Sequence, residues 1–240
     1  MNSMLLELPL GTPPIYYNGI NLFWEIASIV FFFFSMIILL KKKEEELETA
    51  RKIKMGYAFF MFFYSFCRIF FIVAVKYPDE AWNANSYDFF VVCGYFFSSL
   101  AFMCIIIVIE KYLITKTHHL FSILACAMVV LYSLCLLGIF GIDSQDLALT
   151  LSYVSSPVLT AVIVIMYIYL AVKGTADLRK KALLILFGIA LIGIGAIIDG
   201  EKIVINAVGW FSSIIQLDMF YSIAPMIMIV GVLIFLKFSY

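Results

Sequence analysis

INLFWEIASIVFFFFSMIILLKKKEEELETARKIK, residues Ile20 to Lys54, joins an apolar run to a charged one. From Ile20 to Leu40 the only charge is Glu25; from Lys41 to Lys54 most side chains are charged. A helix needs about 20 apolar residues, with a range of ~17–25, to cross the hydrocarbon of a bilayer. Ile20–Leu40 therefore reads as a transmembrane helix. The lysines behind it read as its cytoplasmic flank, because short cytoplasmic loops carry an excess of Lys and Arg.

The same alternation continues along the chain. Further runs with few or no charges occupy Met55–Val75, Phe89–Ile109, Leu120–Gly141, Leu147–Val172, Ala182–Ile198 and Met219–Leu236. A shorter uncharged stretch, Ile203–Leu217, holds Asn206, Ser212, Ser213 and Gln216, and reads as an outer interfacial segment with Trp210 as its anchor. It feeds a last span drawn over residues 211–236, because counting it as an eighth span would put Lys237 on the wrong side. Basic residues cluster on every second connection: Lys41, Lys42, Lys43, Arg51, Lys52 and Lys54, then Lys111 and Lys116, then Lys173, Arg179, Lys180 and Lys181, and finally Lys237. The alternate connections hold Asp79, Glu80, Asp88, Asp143, Asp146, Asp199 and Glu201, offset by Lys76 and Lys202.

The expected fold is an all-α integral membrane protein. It is a single bundle of seven transmembrane helices over residues 20–40, 55–75, 89–109, 120–141, 147–172, 182–198 and 211–236, N-terminus outside and C-terminus cytoplasmic, with no soluble domain. The segment Met1–Leu10 has Glu7 and no basic residue, which argues against a secretory signal peptide. KKKEEELETARKIK reads as a solvated helical extension, with Glu48 at helical spacing from Arg51 and Lys52, whose basic residues can meet anionic headgroups.

Composition agrees. Of 240 residues, 65% are apolar and 13% charged, and the mean hydropathy is +1.08, whereas a soluble domain has an apolar share of ~45–50% and a charged share of about 25%. Disorder is excluded too, since 24 Phe and 14 Tyr cannot stay solvated. Sixteen basic and sixteen acidic residues cancel, so no nucleic-acid partner is expected. Glycine-rich phosphate loops, GxSxG, HExxH and CxxC are all missing, and so are catalytic pairs at workable spacing. The expectation is a non-enzyme without cofactor or metal. His118 and His119 are adjacent in a basic turn, too few to close a tetrahedral site. Cys67, Cys93, Cys104, Cys126 and Cys135 all fall within predicted spans and read as small buried side chains.

Ionisable groups inside a bilayer are functional candidates, and here they are few. Arg68, in FFYSFCRIFF, lies well into the second span, roughly 20 Å from its cytoplasmic start at a rise of about 1.5 Å per residue. Insertion of such an Arg costs about 2.5–3.5 kcal/mol, so it must face the bundle interior and hold an anion. Glu25 is the best internal partner. Tyr64, four residues before Arg68, shares its helical face; Asp218 and Tyr221 can close the group from the seventh helix. Two readings stand side by side: a structural ion pair that fixes helix packing, and a ligand pocket in the outer half where Arg68 binds a carboxylate or phosphate.

Two resemblances bear on function. Glu110, Lys111 and Tyr112, at the cytoplasmic end of the third helix, are similar to the acidic-Arg-Tyr triplet of G-protein-coupled receptors, with Lys in place of Arg. The seventh helix has Pro225 but not that family's Asn-Pro-x-x-Tyr, and Lys111 and Tyr112 also suit lipid-interface anchoring. Lys237, the last helix's only lysine, lies at its cytoplasmic end, which argues against a retinal Schiff base. Seven helices of this length and orientation, with Pro157 in the fifth, resemble the SWEET sugar transporters in topology. That family's proline in the first helix has no counterpart here, and no internal repeat is visible. Pro157 and Pro225 each remove a backbone hydrogen bond, so they read as local helix shape or as gating hinges. Ser152, Ser155 and Ser156 are near enough to Pro157 to cover freed carbonyls. Gly188, Gly193 and Gly195 make a small-residue surface on the sixth helix, suited to close contact within the bundle or between protomers.

The third to sixth spans carry no charge between their ends, which speaks against ion-coupled transport. The leading expectation is a receptor-like or sensor-type protein of the plasma membrane. It binds a small anionic or amphipathic ligand in the outer half and acts through a cytoplasmic or membrane protein partner. A facilitative transporter or channel for a small solute is the alternative, and a structural subunit of a membrane complex is the third reading; a homo-oligomer is compatible with each.

Overall fold

The computed structural model describes residues 19–41, 48–76, 84–114, 117–139, 144–198 and 217–239. These form seven helices: α1 (Gly19–Leu40), α2 (Glu48–Lys76), α3 (Ala84–Tyr112), α4 (Leu120–Leu136), α5 (Ser144–Lys173), α6 (Ala176–Ile198) and α7 (Leu217–Ser239). No strand occurs among the described residues. Among the described residues four helical stretches are long and apolar enough to cross a membrane: Leu22–Leu40, Glu48–Ala74, Phe89–Tyr112 and Ser222–Ser239. Leu120–Leu136 and Pro157–Lys173 are shorter apolar stretches.

Helix ends depart from the apolar runs for local reasons. α2 starts at Glu48, before its apolar run, and the Glu48 carboxylate meets Lys52 Nζ at 2.6 Å one turn on. Both are well exposed, so the pair supports the helix by only about 0.3–0.5 kcal/mol. α4 is shorter than its apolar run, which continues to Gly141. Gly138 takes a left-handed φ of 67°, its N–H donates to the Cys135 carbonyl, and the Ile139 N–H donates to that of Leu134. This crossed pair of bonds closes the helix C-terminus, and the unbranched backbone of glycine permits the turn. The outer interfacial stretch expected around Trp210 lies outside the described residues, and α7 is described from Leu217.

Each helix packs on its chain neighbour, and α7 returns to α1, so the seven helices form a ring in chain order; α3 also touches α5. Facing residues run in opposite directions. Glu25 meets Arg68 where Phe32 meets Tyr64; Gly56 abuts Val108 where Gly94 abuts Phe71. Helices that follow one another in the chain are therefore antiparallel, and α7 runs parallel to α1 where the ring closes. One end of the ring, the basic end, collects Lys41, Lys52, Lys111, Lys173, Arg179, Lys180, Lys181 and Lys237.

Small residues set the closest contacts. A Cβ on Gly188 would stand 2.9 Å from the Gly231 carbonyl oxygen, and one on Gly195 would stand 2.7 Å from that of Ala224. α6 and α7 thus touch backbone to backbone, as small-residue interfaces allow. Gly193 has nothing within 4 Å, because it lies about 200° around the helix from Gly195. Between α2 and α3 the contact is aromatic instead: Phe97 stacks on Phe66 at 5.4 Å and on Phe70 at 5.2 Å. The ring's centre is filled by Phe60, Met61, Ile105, Ile163, Met166 and Phe235, each no more than 1% exposed.

Candidate functional site

On α1 the buried positions are Glu25, Ser28, Phe32, Ser35 and Leu39, a three-four spacing that makes one narrow seam. The serines in that seam turn their hydroxyls back on their own helix: Ser28 Oγ donates to the Glu25 carbonyl and Ser35 Oγ to that of Phe31, each at 2.8 Å. With their hydroxyls satisfied locally, they act as small residues that let α2 approach. Ser65 on α2 does the same toward Met61.

At the end of this seam away from the basic end, Arg68 Nη2 donates to Glu25 Oε1 at 2.6 Å. The side chains are 4% and 7% exposed, so water hardly screens the pair. At an effective dielectric of ~20 and a charge separation near 4 Å, the attraction is about 4 kcal/mol. One turn toward the basic end, the buried ring of Tyr64 lies 4.9 Å from Phe32 and 5.6 Å from Phe60. The structure thus brings together three of the residues expected at the site: Arg68, Glu25 and, below them, Tyr64. Asp218 and Tyr221 fall in the first turns of α7, and their side chains lie outside the described residues. Among the described residues α1 packs chiefly on α2 and α7, and the ion pair is a charged tie across the first of those contacts.

Glu110 has a different job from its neighbours. Its side chain is buried, and it accepts the N–H of Phe121 at 3.2 Å, the N–H of Ser122 at 2.7 Å and the hydroxyl of Ser122 at 2.5 Å. A carboxylate of α3 therefore caps the N-terminus of α4. The reason is local: the cap position is His119, held at φ 65° with no side-chain bond to the helix, and His118 is left-handed as well. A negative charge at those free N–H groups also meets the positive end of the helix dipole. Lys111 points outward, its Nζ 5.6 Å from the Tyr112 ring centroid.

Two buried hydroxyl pairs carry no signal in the sequence. Tyr167 of α5 donates to the Tyr57 hydroxyl of α2 at 3.0 Å, and the Tyr132 hydroxyl of α4 meets Ser155 Oγ of α5 at 2.7 Å. The second pair occupies the Ser155 hydroxyl expected near Pro157, while the side chains of Ser152 and Ser156 lie outside the described residues. Pro157 is exposed and Pro225 buried, and α5 and α7 run on through them. All five cysteines are free thiols. Among the described residues no three His, Cys, Asp or Glu side chains group to hold a metal. Comparison with protein-family models, with curated proteins and with solved structures gives no match to this chain.

Proposed function

We propose that the chain is a seven-span, receptor-like protein of the plasma membrane, N-terminus outside, whose ligand site is built around Arg68 in the outer half of the bundle. The observation that carries this reading is the division of the interior. The one buried charge pair described, Glu25–Arg68, stands toward the outer end, and the middle of the bundle is filled by aromatic and aliphatic side chains with a few serines, before Lys54, Glu110 and the Tyr57–Tyr167 hydroxyls are reached nearer the basic end. A solute path needs polar groups along its length; a site that binds and reports needs them at one end only. A ligand's carboxylate or phosphate would take Glu25's place on the guanidinium, whose planar fork suits either group. Occupancy then alters how α1 is tied to α2, and a partner at the basic end reads the change.

The test is a thermal-shift screen of small carboxylates, phosphates and amphipathic anions, run beside flux measurements in proteoliposomes. A compound that stabilises the wild type but not Arg68→Gln, with no flux, is the expected result. Solute uptake that disappears in Arg68→Ala overturns the reading in favour of a facilitative transporter.

A further inference from the structure

Tyr57 and Tyr167 join two helices across the ring by a hydrogen bond. The ion pair ties α1 to α2, Glu110 ties α3 to α4, and Tyr132 ties α4 to α5, all neighbours in the chain. The tyrosine bond instead links α2 to α5, which do not pack side by side. It lies toward the basic end, since Tyr57 is in the first third of α2 and Tyr167 is near the end of α5. Both side chains are buried, at 3% and 1% exposure, and the Tyr57 ring stands edge-on to Phe235 of α7 at 5.1 Å. Three helices from three sides of the ring thus converge on one hydroxyl pair.

We propose that Tyr57 and Tyr167 are a clasp that keeps the basic end of the ring closed, and that α5 is the helix that leaves when it opens. The chemistry makes two states. Closed, the Tyr167 hydroxyl donates to the Tyr57 oxygen in a dry core; open, both hydroxyls turn to water, and partial separation breaks the bond without replacing it. α2 is the fixed side. Gly56, next to Tyr57, lets Val108 of α3 occupy the space a Cβ would need, so α2 is locked on α3 along that edge. α5 is the freer side, because it packs less extensively on α4 and α6 than α2 does on α3. This deepens the receptor-like reading and rests on it for its use in signalling. The clasp itself is tested without any ligand, so the two stand or fall separately.

The experiment is hydrogen–deuterium exchange of the full chain in lipid nanodiscs, comparing wild type with Tyr57→Phe, Tyr167→Phe and the double variant. Phenylalanine keeps the ring packing and removes only the hydroxyl. Loss of one hydrogen bond is worth up to about tenfold in an opening equilibrium. Each single variant is expected to speed exchange over residues 163–173 by up to about that factor, with residues 84–114 unchanged, and the double variant to add nothing further. Unchanged exchange at 163–173, an equal rise in every helix, or additive single effects each overturn the clasp. Tyr132→Phe serves as the comparison at the other end of α5, where a similar hydroxyl is lost without touching the clasp.

Discussion

Cutting the Glu25–Arg68 pair from either side should cost far more than removing both charges at once. With Nη2 and Oε1 at 2.6 Å and side-chain exposures of 4% and 7%, the two charges are desolvated, and each depends on the other. Losing one partner of such a pair typically destabilises by about 3–5 kcal/mol, in line with the ~4 kcal/mol attraction worked from Coulomb's law. For a chain of this size that is a fall in Tm of roughly 6–20 °C. The two single variants should also differ. Arg68→Met leaves a carboxyl that can neutralise itself by taking up a proton, whereas Glu25→Met leaves a guanidinium that cannot lose one. Glu25→Met is therefore the worse of the two. The double variant, two methionines of similar reach in an apolar seam, should return to within about 1 kcal/mol of wild type or exceed it. Thermal unfolding in one detergent, followed by circular dichroism and by thiol labelling of the buried cysteines, reads all four proteins. Single variants that each cost less than about 1 kcal/mol, or single effects that simply add in the double variant, would refute a desolvated pair.

Three further outcomes follow from geometry. Gly188→Ala should separate α6 from α7 at a cost of about 1–3 kcal/mol, because the new methyl meets backbone that cannot turn aside, whereas Gly193→Ala, with open space around it, should be neutral in the same melt. Glu110→Ala should loosen the start of α4 by about 0.5–2 kcal/mol, read as faster amide exchange at Phe121 and Ser122 with the end of α4 unaffected. Gly138→Ala should destabilise by about 1 kcal/mol although nothing stands near its Cβ, since the strain is in the backbone at φ 67°; an unchanged Tm would show that the turn relaxes.

Much of the candidate site is legible in the sequence. Arg68 in an apolar run had to find an anion, and Glu25 was the nearest buried carboxylate on offer, so the pairing could be argued from the cost of an unpaired charge alone. Glu110 was harder. Its neighbours Lys111 and Tyr112 drew it toward a surface triplet, and the missing clue lay in the next helix, which begins after two histidines and offers no Ser, Thr, Asp or Asn at its cap. An uncapped helix start with a carboxylate eleven residues upstream was the available sign.

The sequence by itself determined a helical chain made for a bilayer, because uncharged runs of spanning length leave the backbone no partner but itself, and the placement of charges set where those runs end. Which faces of the helices meet was decided by tertiary structure alone. Rotation about a helix axis turns Gly195 into α7 and Gly193 away from it, and brings Tyr57 to Tyr167 across 110 positions of chain. In an environment as apolar as the helix faces themselves, hydrophobicity does not choose that rotation. Small residues that permit contact, and a few polar groups that require partners, choose it.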